Sequence, residues 1–448
     1  MLSPEAATDR AADLISRAKQ AGADAADAVY SASASEGIQV RLGKLEDVER
    51  SEGEHMGLRV FIGQRSASIG SSDLTSAALD ELAERAVAMA RAAPEDRFAG
   101  LAPQDMLTHA PFADLDLYDA TDPGAEALRH AAEEAEDAAR TVVGVTNSDG
   151  ASASAGFSVF ALATSHGFAG GYRGSSHSIS ASVVAGDGAD KQRDSSWRQA
   201  RHRCDLISAS AIGAEAGARA VARLRPDKLR SGPMPVVFDP RVSSSIVGHL
   251  IAAMSGSAIA RRSSFLLDKR DVPLFDPALR IVEDPHTLRG SRSRPFDGEG
   301  LATHSRNLVQ DGRITGWLMD SASARQLGET PTGHASRGGG GAPGVTVGNV
   351  HLAAGSLSRE ALIADIAEGV LVTELIGQGV NGVTGDYSRG ASGFRIVDGE
   401  IAGPVAEFTV AGNLLAMFAS MIPADDLEWH RPINVPTLRI SGMTVAGD

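Results

Sequence analysis

The sequence predicts an α+β protein in two parts, an N-terminal domain mixing helices with antiparallel sheet (residues 1–225) and a C-terminal, sheet-rich, barrel-like domain (226–448). Three observations point there. The 448 residues include 49 glycines and only 4 % aromatics, a composition of close backbone packing and many turns. Segments with helical periodicity alternate with segments of period two in the first half. The stretch PDKLRSGPMP, Pro226 to Pro235, is polar and turn-rich, and past it helical patterns thin out while glycine-punctuated strands dominate.

Taken in order, alternating residues predict strands at Ile38–Leu42, at Leu58–Ile62, and at Ser66–Ile69 beyond a turn at Gly63. Between Thr75 and Arg91, Leu79, Leu82, Ala83, Ala86, Val87 and Ala90 repeat as one apolar helical stripe. A second helix is predicted over Pro123–Arg140, its acids Glu133, Glu134, Glu136 and Asp137 forming a solvated face. Strands follow at Val142–Thr146, Phe157–Thr164 and Ser176–Val184, the last alternating small polar with small apolar residues, as in an antiparallel sheet with one wet face. A third helix is predicted over Asp205–Arg223, with Ile207, Ala211, Ala214, Ala218 and Val221 along its inner side. In the second half, Asp239-Pro240 reads as an N-cap followed by proline at the first helical position, with Val242, Ile246, Leu250 and Ala253 facing the core. The glycine run Gly338–Gly341 reads as a mobile loop.

Composition excludes several functions. With 42 Lys+Arg against 57 Asp+Glu the net charge is −15, and no basic run compensates, so nucleic-acid binding is not expected. Cys204 is the only cysteine, which rules out an intramolecular disulfide and an all-cysteine metal site. The start of the chain lacks a basic-then-apolar leader, and the longest apolar stretch, Leu414–Ile422, is interrupted by Ser420. A cytoplasmic protein with no membrane partner is expected.

Several motifs resemble chemistry without its context. Gly377, Gly379 and Gly382 satisfy G-x-G-x-x-G, but a strand-and-turn sequence follows where a dinucleotide site needs a helix N-terminus. The Gly338–Gly341 run lacks the ending of a phosphate loop, and Arg389–Gly393 has its glycines at the wrong offsets for a serine-hydrolase elbow. None of the twelve histidines forms H-E-x-x-H or H-x-H.

Three segments carry a resemblance: VVFDPRVSSSIVGHLIAAMSGSAIARRSSFLLDK (236–269), VTGDYSRGASGF (383–394) and VAEFTVAGNLL (405–415). With GLRVFIGQRSASIGSSDLT (57–75), the TGHASRG region (332–338) and GVLVTELIGQGVNGVTGD (369–386), they make the chain resemble the TldD/TldE family over nearly its whole length. The similarity is to the TldE branch, also called PmbA or modulator of DNA gyrase.

Members of the TldD branch look like zinc proteases with a helical H-E-x-x-x-H motif and a cysteine near the C-terminus as third ligand. Laid on this chain, that motif falls on Ser244, Ser245 and His249, and the region of the cysteine, 424–445, holds none. Serine hydroxyls are poor zinc ligands at neutral pH, and Ser245 cannot take a proton from metal-bound water as a carboxylate would. Positions five apart diverge by roughly 140° on a regular helix, so even the intact motif needs a distorted turn. His249 is therefore read as a hydrogen-bonded, partly buried histidine, and the chain as having no metal, cofactor or catalytic residue of its own.

The resemblance implies a heterodimer with a TldD-like catalytic subunit that holds the zinc, the two enclosing a chamber for extended, unfolded peptides. Such a pairing would bury more than about 2,000 Å². Within this chain, Asp386, Ser388 and Arg389 are candidates for peptide contact, Arg389 through a carboxylate; the alternative is a tight turn in which Asp386 and Arg389 satisfy local backbone. His334 and Arg337 are candidates for lining the chamber. Competing functions are a homodimeric peptide- or client-binding protein with no peptidase partner, and an independent enzyme with an unrecognised site.

Overall fold

The structure is a computed structural model that describes residues 1–447. Its N-terminal half contains helices α1 (Pro4–Gln20), α2 (Ser76–Ala92), α3 (Gly124–Arg140) and α4 (Ala209–Ala222). Its strands are β1 (Ala25–Arg41), β2 (Lys44–Ile62), β3 (Arg65–Ser71), β4 (Val145–Thr164), β5 (Ala169–Ala185) and β6 (Gln192–Ala200). They form one antiparallel sheet in the order β3-β2-β1-β4-β5-β6. The short strands predicted from alternation are pieces of much longer ones, and β4 begins at Val145, after the turn that ends α3.

Period-two alternation sorts the residues of this sheet onto two faces. From β1, Ala26, Ala28, Tyr30 and Ala32 pack with α1 and α2, while Ile38 and Val40 further along pack with α3 and α4. The opposite face is wet only in part: Ser152–Ser180 and Ser154–Ser178 pair across β4 and β5 by hydroxyl contacts of 2.8 Å. Elsewhere Val29, Leu162 and Phe168 are buried against Phe296 and Leu301 of the C-terminal half.

One helix lies outside the sequence expectations, and two expectations about helices are corrected. Helix α1 was not foreseen; Ser3 caps it, Pro4 opens it, and its buried stripe is mostly alanine, which gives little hydrophobic contrast in sequence. Glu136 is not on the solvated face of α3. It is buried and accepts hydrogen bonds from Leu42 N and Gly43 N (2.7 and 2.8 Å) and from Ser148 Oγ (2.5 Å), closing the β1–β2 turn. Helix α4 buries Ile212, Gly213, Ala216, Gly217 and Ala220, with Ile207, Ala211, Ala214 and Ala218 exposed. A Cβ on Gly213 would sit 1.9 Å from Ala135 O of α3, so backbone proximity chose this face.

The C-terminal half contains β7 (Gly232–Phe238), α5 (Pro240–Ala253), α6 (Gly256–Ala260), β8 (Ile281–Asp284), β9 (Arg306–Gln310), β10 (Arg313–Ile314) and α7 (Ser321–Leu327). It continues with β11 (Ala335–Ser336), β12 (Gly344–Val345), β13 (Asn349–Leu352), α8 (Arg359–Ile363), β14 (Glu368–Ile376) and β15 (Asp386–Val397). Last come β16 (Glu400–Asn413), α9 (Leu414–Ala419), β17 (Met421–Pro423), β18 (Ile433–Asn434) and β19 (Leu438–Ala446). Strands β7, β14, β15, β16 and β19 close into a barrel, because β16 pairs β19 and β19 returns to β7. Closure removes the free edges such a sheet would otherwise expose. A second sheet, β10-β9-β8-β13-β18, lies beside it and shares its core.

The glycine run is a packed contact rather than a mobile loop. Gly339 O lies where a Cβ on Gly57 of β2 would stand (1.4 Å), and Gly340 Cα is 3.1 Å from the equivalent point on Gly70 of β3. Among the described residues, no helix is long and apolar enough to cross a membrane.

Candidate functional site

Helix α5 follows β7 directly and lies against β14. Asp239 caps it by accepting from Arg241 N (3.1 Å), and Pro240 occupies its first position. Ser243, Ile246, Val247, Leu250 and Ala253 are buried, with Val242 half-buried against the same core. Ser243 Oγ donates to Val435 O (3.2 Å), tying the helix to the C-terminal segment.

Ser244 and Ser245 follow on the half-exposed side of α5. Ser245 Oγ donates back to Val242 O at 2.7 Å, so its hydroxyl is spent on its own helix. His249 is half-buried with its ring against Tyr387, centroids 6.0 Å apart and planes at 73°. The expected hydrogen bond is not found at its Nε2, which is buried without a partner. Burial, and next to it the charge of Arg389, hold the imidazole below its ordinary pKa.

Strand β15 divides the other candidates by alternation. Tyr387 is buried toward His249, while Asp386 and Ser388 are exposed on the opposite side. Asp386 accepts from Thr384 Oγ1 (2.7 Å) and Asn413 Nδ2 (3.1 Å), contacts that hold its carboxyl below the usual range. Arg389 Nε donates to Ile376 O at 3.4 Å, and Ser388 N donates to Gly379 O at 2.7 Å. These residues open strand β15 just after the turn at 382–384, and their polar groups meet neighbouring ones.

His334 and Arg337 lie elsewhere and are internal. His334 contacts Glu283 through Nε2 (2.7 Å) and Thr332 Oγ1 through Nδ1 (2.8 Å). Arg337 is buried beside Asp27 of β1, its Nη2 2.6 Å from Oδ1 as an ion pair without hydrogen-bond alignment. The structure therefore brings His249 of α5 against Tyr387 of β15 within the electrostatic reach of Arg389, and sets His334 and Arg337 apart from them. Tyr387 was missed in the sequence; its parity with Arg389 on an alternating strand was the available signal.

A zinc ion does not fit the residues present. Ser244 and Ser245 offer hydroxyls where imidazole and carboxylate would be needed, and the guanidinium of Arg389 acts electrostatically on His249. Among the described residues no three His, Cys, Asp or Glu side chains group closely enough to hold a metal.

An α+β chain with a closed C-terminal barrel, and with a capped helix leading from the first barrel strand to the site, defines the class. Sequence profiles of the PmbA/TldA metallopeptidase match in three blocks: domain 1 over residues 26–90, the central domain over 111–224 and the C-terminal domain over 231–447. The chain belongs to the PmbA/TldD family. It is 36 % identical over 427 residues to metalloprotease PmbA of Escherichia coli O157:H7, spanning 95 % of this chain and 92 % of that one. It is 37 % identical over 438 residues to a metalloprotease PmbA homolog of Haemophilus influenzae, spanning 96 % and 94 %.

Among solved structures, one described as a modulator of DNA gyrase from Bacteroides thetaiotaomicron superposes with a TM-score of 0.90 at 26 % identity, covering 100 % of both chains. TldE from Thermococcus kodakarensis superposes with a TM-score of 0.84 at 20 % identity, covering 98 % of this chain and 100 % of that one, and shares the fold.

Proposed function

We propose that this chain is the non-catalytic subunit of a heterodimeric, cytoplasmic TldD/TldE-type zinc metallopeptidase acting on extended, unfolded peptides. The observation that carries the reading is the donor set on α5: two serines and one unpartnered imidazole facing Tyr387 within the field of Arg389. In the complex the zinc belongs to the TldD-like partner. The kinship with metalloprotease PmbA supports the metallopeptidase part of this assignment. The N-terminal sheet supports a peptide-handling role, since its terminal strands β3 and β6 each have one edge without a neighbour in the sheet, and an extended peptide adds to such an edge through backbone hydrogen bonds.

The test is purification of the chain alone and with a TldD-like chain, followed by metal analysis and cleavage of an unfolded peptide. Activity and zinc are expected only when the second chain is present. Stoichiometric zinc with turnover in the isolated chain would overturn the reading, and recovery from the native cell solely as a self-dimer would favour the homodimeric binding protein. The double variant Ser244→His, Ser245→Glu is expected to remain inactive in the isolated chain, because no third ligand stands near and Arg389 remains. Cleavage by that variant would show that another side chain completes a site.

A further inference from the structure

Two adjoining cavities, of about 430 and 440 Å³, lie between β6 and α4 on one side and β14, the start of α5 and the segment 426–431 on the other. Asp194, Arg219, Arg241, Thr373 and Arg431 line both, so they form one cleft between the two halves of the chain.

Positive groups crowd this cleft. Glu215 is shared by Arg198 (3.2 Å) and Arg219 (2.6 Å), and Asp194 by Arg223 (3.5 Å) and Arg241 (3.3 Å). Asp239 serves Arg241 (3.0 Å) and Arg359 (3.7 Å), and Glu374 pairs with Arg223. Arg431 has no carboxylate at ion-pair distance among the described residues: its guanidinium lies 5.1 Å over the ring of Trp197, and its Nε is buried without a partner. Burial, and then repulsion from Arg198 and Arg219, lower its pKa. Asp239 and Glu428 act favourably on Arg431, but only from beyond ion-pair distance. Asp426 accepts from Thr437 N and Oγ1 (2.8 and 2.6 Å), and Glu428, mostly exposed, is 3.4 Å from His430 Nδ1.

A second, independent feature points into the same space. The pairing of β14 with β15 slips between Val372 and Glu374, leaving Thr373 as the extra residue of a bulge. Bulges re-aim side chains and are frequent beside functional sites. The Thr373 hydroxyl is buried, lines both cavities and has no hydrogen-bond partner; His430 Nε2 in the first cavity is likewise unpartnered. Burial, then Arg431 and Arg198, push the His430 pKa down to about 4, so this imidazole is neutral and offers a nitrogen without adding charge.

We propose that the cleft binds a small carboxylate ligand, held by the guanidinium of Arg431 and the hydroxyl of Thr373. Both line the two cavities and both are donors, and an ionised carboxylate, which only accepts, is their chemical complement. A cation would face the arginines. A phosphate dianion would meet stronger repulsion from the lining acids than a monoanion, which suits a single unpaired guanidinium. The cavities leave room for more than the carboxylate itself, as in the C-terminal end of a short peptide. The inference concerns this chain alone and holds with or without a catalytic partner.

The test is calorimetric titration of the full chain with N-acetyl-dialanine bearing a free carboxylate, with its C-terminal amide, and with inorganic phosphate. The acid is expected to bind, and the amide to bind at least about tenfold more weakly, the loss that one charge-assisted contact implies. Arg431→Met, which keeps an apolar stem over Trp197, should weaken the acid by about tenfold or more, and Thr373→Val by a few fold. The valine variant removes the hydroxyl without changing side-chain shape, so it carries the test if the methionine variant does not fold. No heat with the acid, equal affinity for acid and amide, binding of phosphate in place of the acid, or unchanged affinity in the folded variants would each overturn the proposal.

Discussion

Glu136 shows how much a single side chain can hold. It sits on an acid-rich helix, and the run Glu133, Glu134, Glu136, Asp137 reads as solvated, yet this one carboxylate reaches inward to two backbone N–H groups and a serine hydroxyl. Removing it leaves buried donors unmet, and such a loss is measured in the cost of the stranded groups rather than in the modest net value of a hydrogen bond. Glu136→Ala is expected to lower unfolding free energy by about 2 to 3 kcal/mol in a denaturant titration. The neighbouring exposed Asp137→Ala should stay within about 0.5 kcal/mol. Equal effects of the two would mean that the buried contacts are not what fixes the β1–β2 turn. His249 is the opposite case, a half-buried residue whose Nε2 meets no partner: its ring packs on Tyr387, and burial and the charge of Arg389 keep it neutral.

At the scale of elements, α3 and α4 test whether close packing or helix propensity governs. Gly213 and Gly217 lie inside α4, where glycine costs about 1 kcal/mol relative to alanine, so propensity alone predicts that Gly213→Ala stabilises. The structure predicts the reverse, since the added Cβ would lie 1.9 Å from Ala135 O and 3.0 Å from Ala139 N, both backbone atoms that cannot rotate away. A net loss of about 1 to 3 kcal/mol is expected, read as a lower unfolding midpoint. A raised midpoint would show that the two helices separate cheaply.

The same pair shows what was legible in the sequence. The stripe of α2 was readable because Leu79, Leu82 and Val87 stand out from polar neighbours, and the cap of α5 because Asp-Pro is a local signal. The inner face of α4 was not, because its contacts are made by glycine and alanine on both helices and the apolar Ile207 lies outside it, 45 % exposed. The strands were legible as alternation only where apolar residues marked it; most of β2 from Lys44 to Gly53 is polar and exposed, and its extent is set by pairing with β1. The positions Ser244, Ser245 and His249 on α5 were picked out through resemblance alone. Their surroundings were not, since Tyr387 reaches His249 from a strand more than a hundred residues away, and the arginine cleft is assembled from segments scattered from β5 to residue 431.

Across the whole molecule, the two halves are joined by a buried polar junction. Arg59 of β2 contacts Asp27 of β1 at 2.5 Å and Glu299 of the C-terminal half at 3.6 Å, while Arg337 closes on Asp27 from the other side. Gly57 and Gly339 bring the two backbones together beside it, and Phe112, Phe168 and Phe296 pack around the same seam. Arg325 donates to the carbonyls of Phe98, Gly100 and Leu101 at 2.7, 2.9 and 3.0 Å, fastening the connecting segment to α7. Among the described residues, Asp27 is the one carboxylate at ion-pair distance from both arginines. Taking it away leaves two buried guanidiniums with Glu299 alone, and breaking a buried pair by removing one partner costs about 3 to 5 kcal/mol. Because that cost falls on the seam, Asp27→Ala should loosen the halves from each other more than it loosens either one. Scanning calorimetry is expected to show one cooperative transition for the natural chain and two for the variant, the barrel half retaining the higher midpoint through its closed sheet. Glu52→Ala, which breaks the exposed Arg50–Glu52 pair on the same sheet, serves as the comparison and should leave the trace unchanged. If Asp27→Ala lowers a single transition without splitting it, the junction stabilises the fold as a unit and does not set the coupling between its parts.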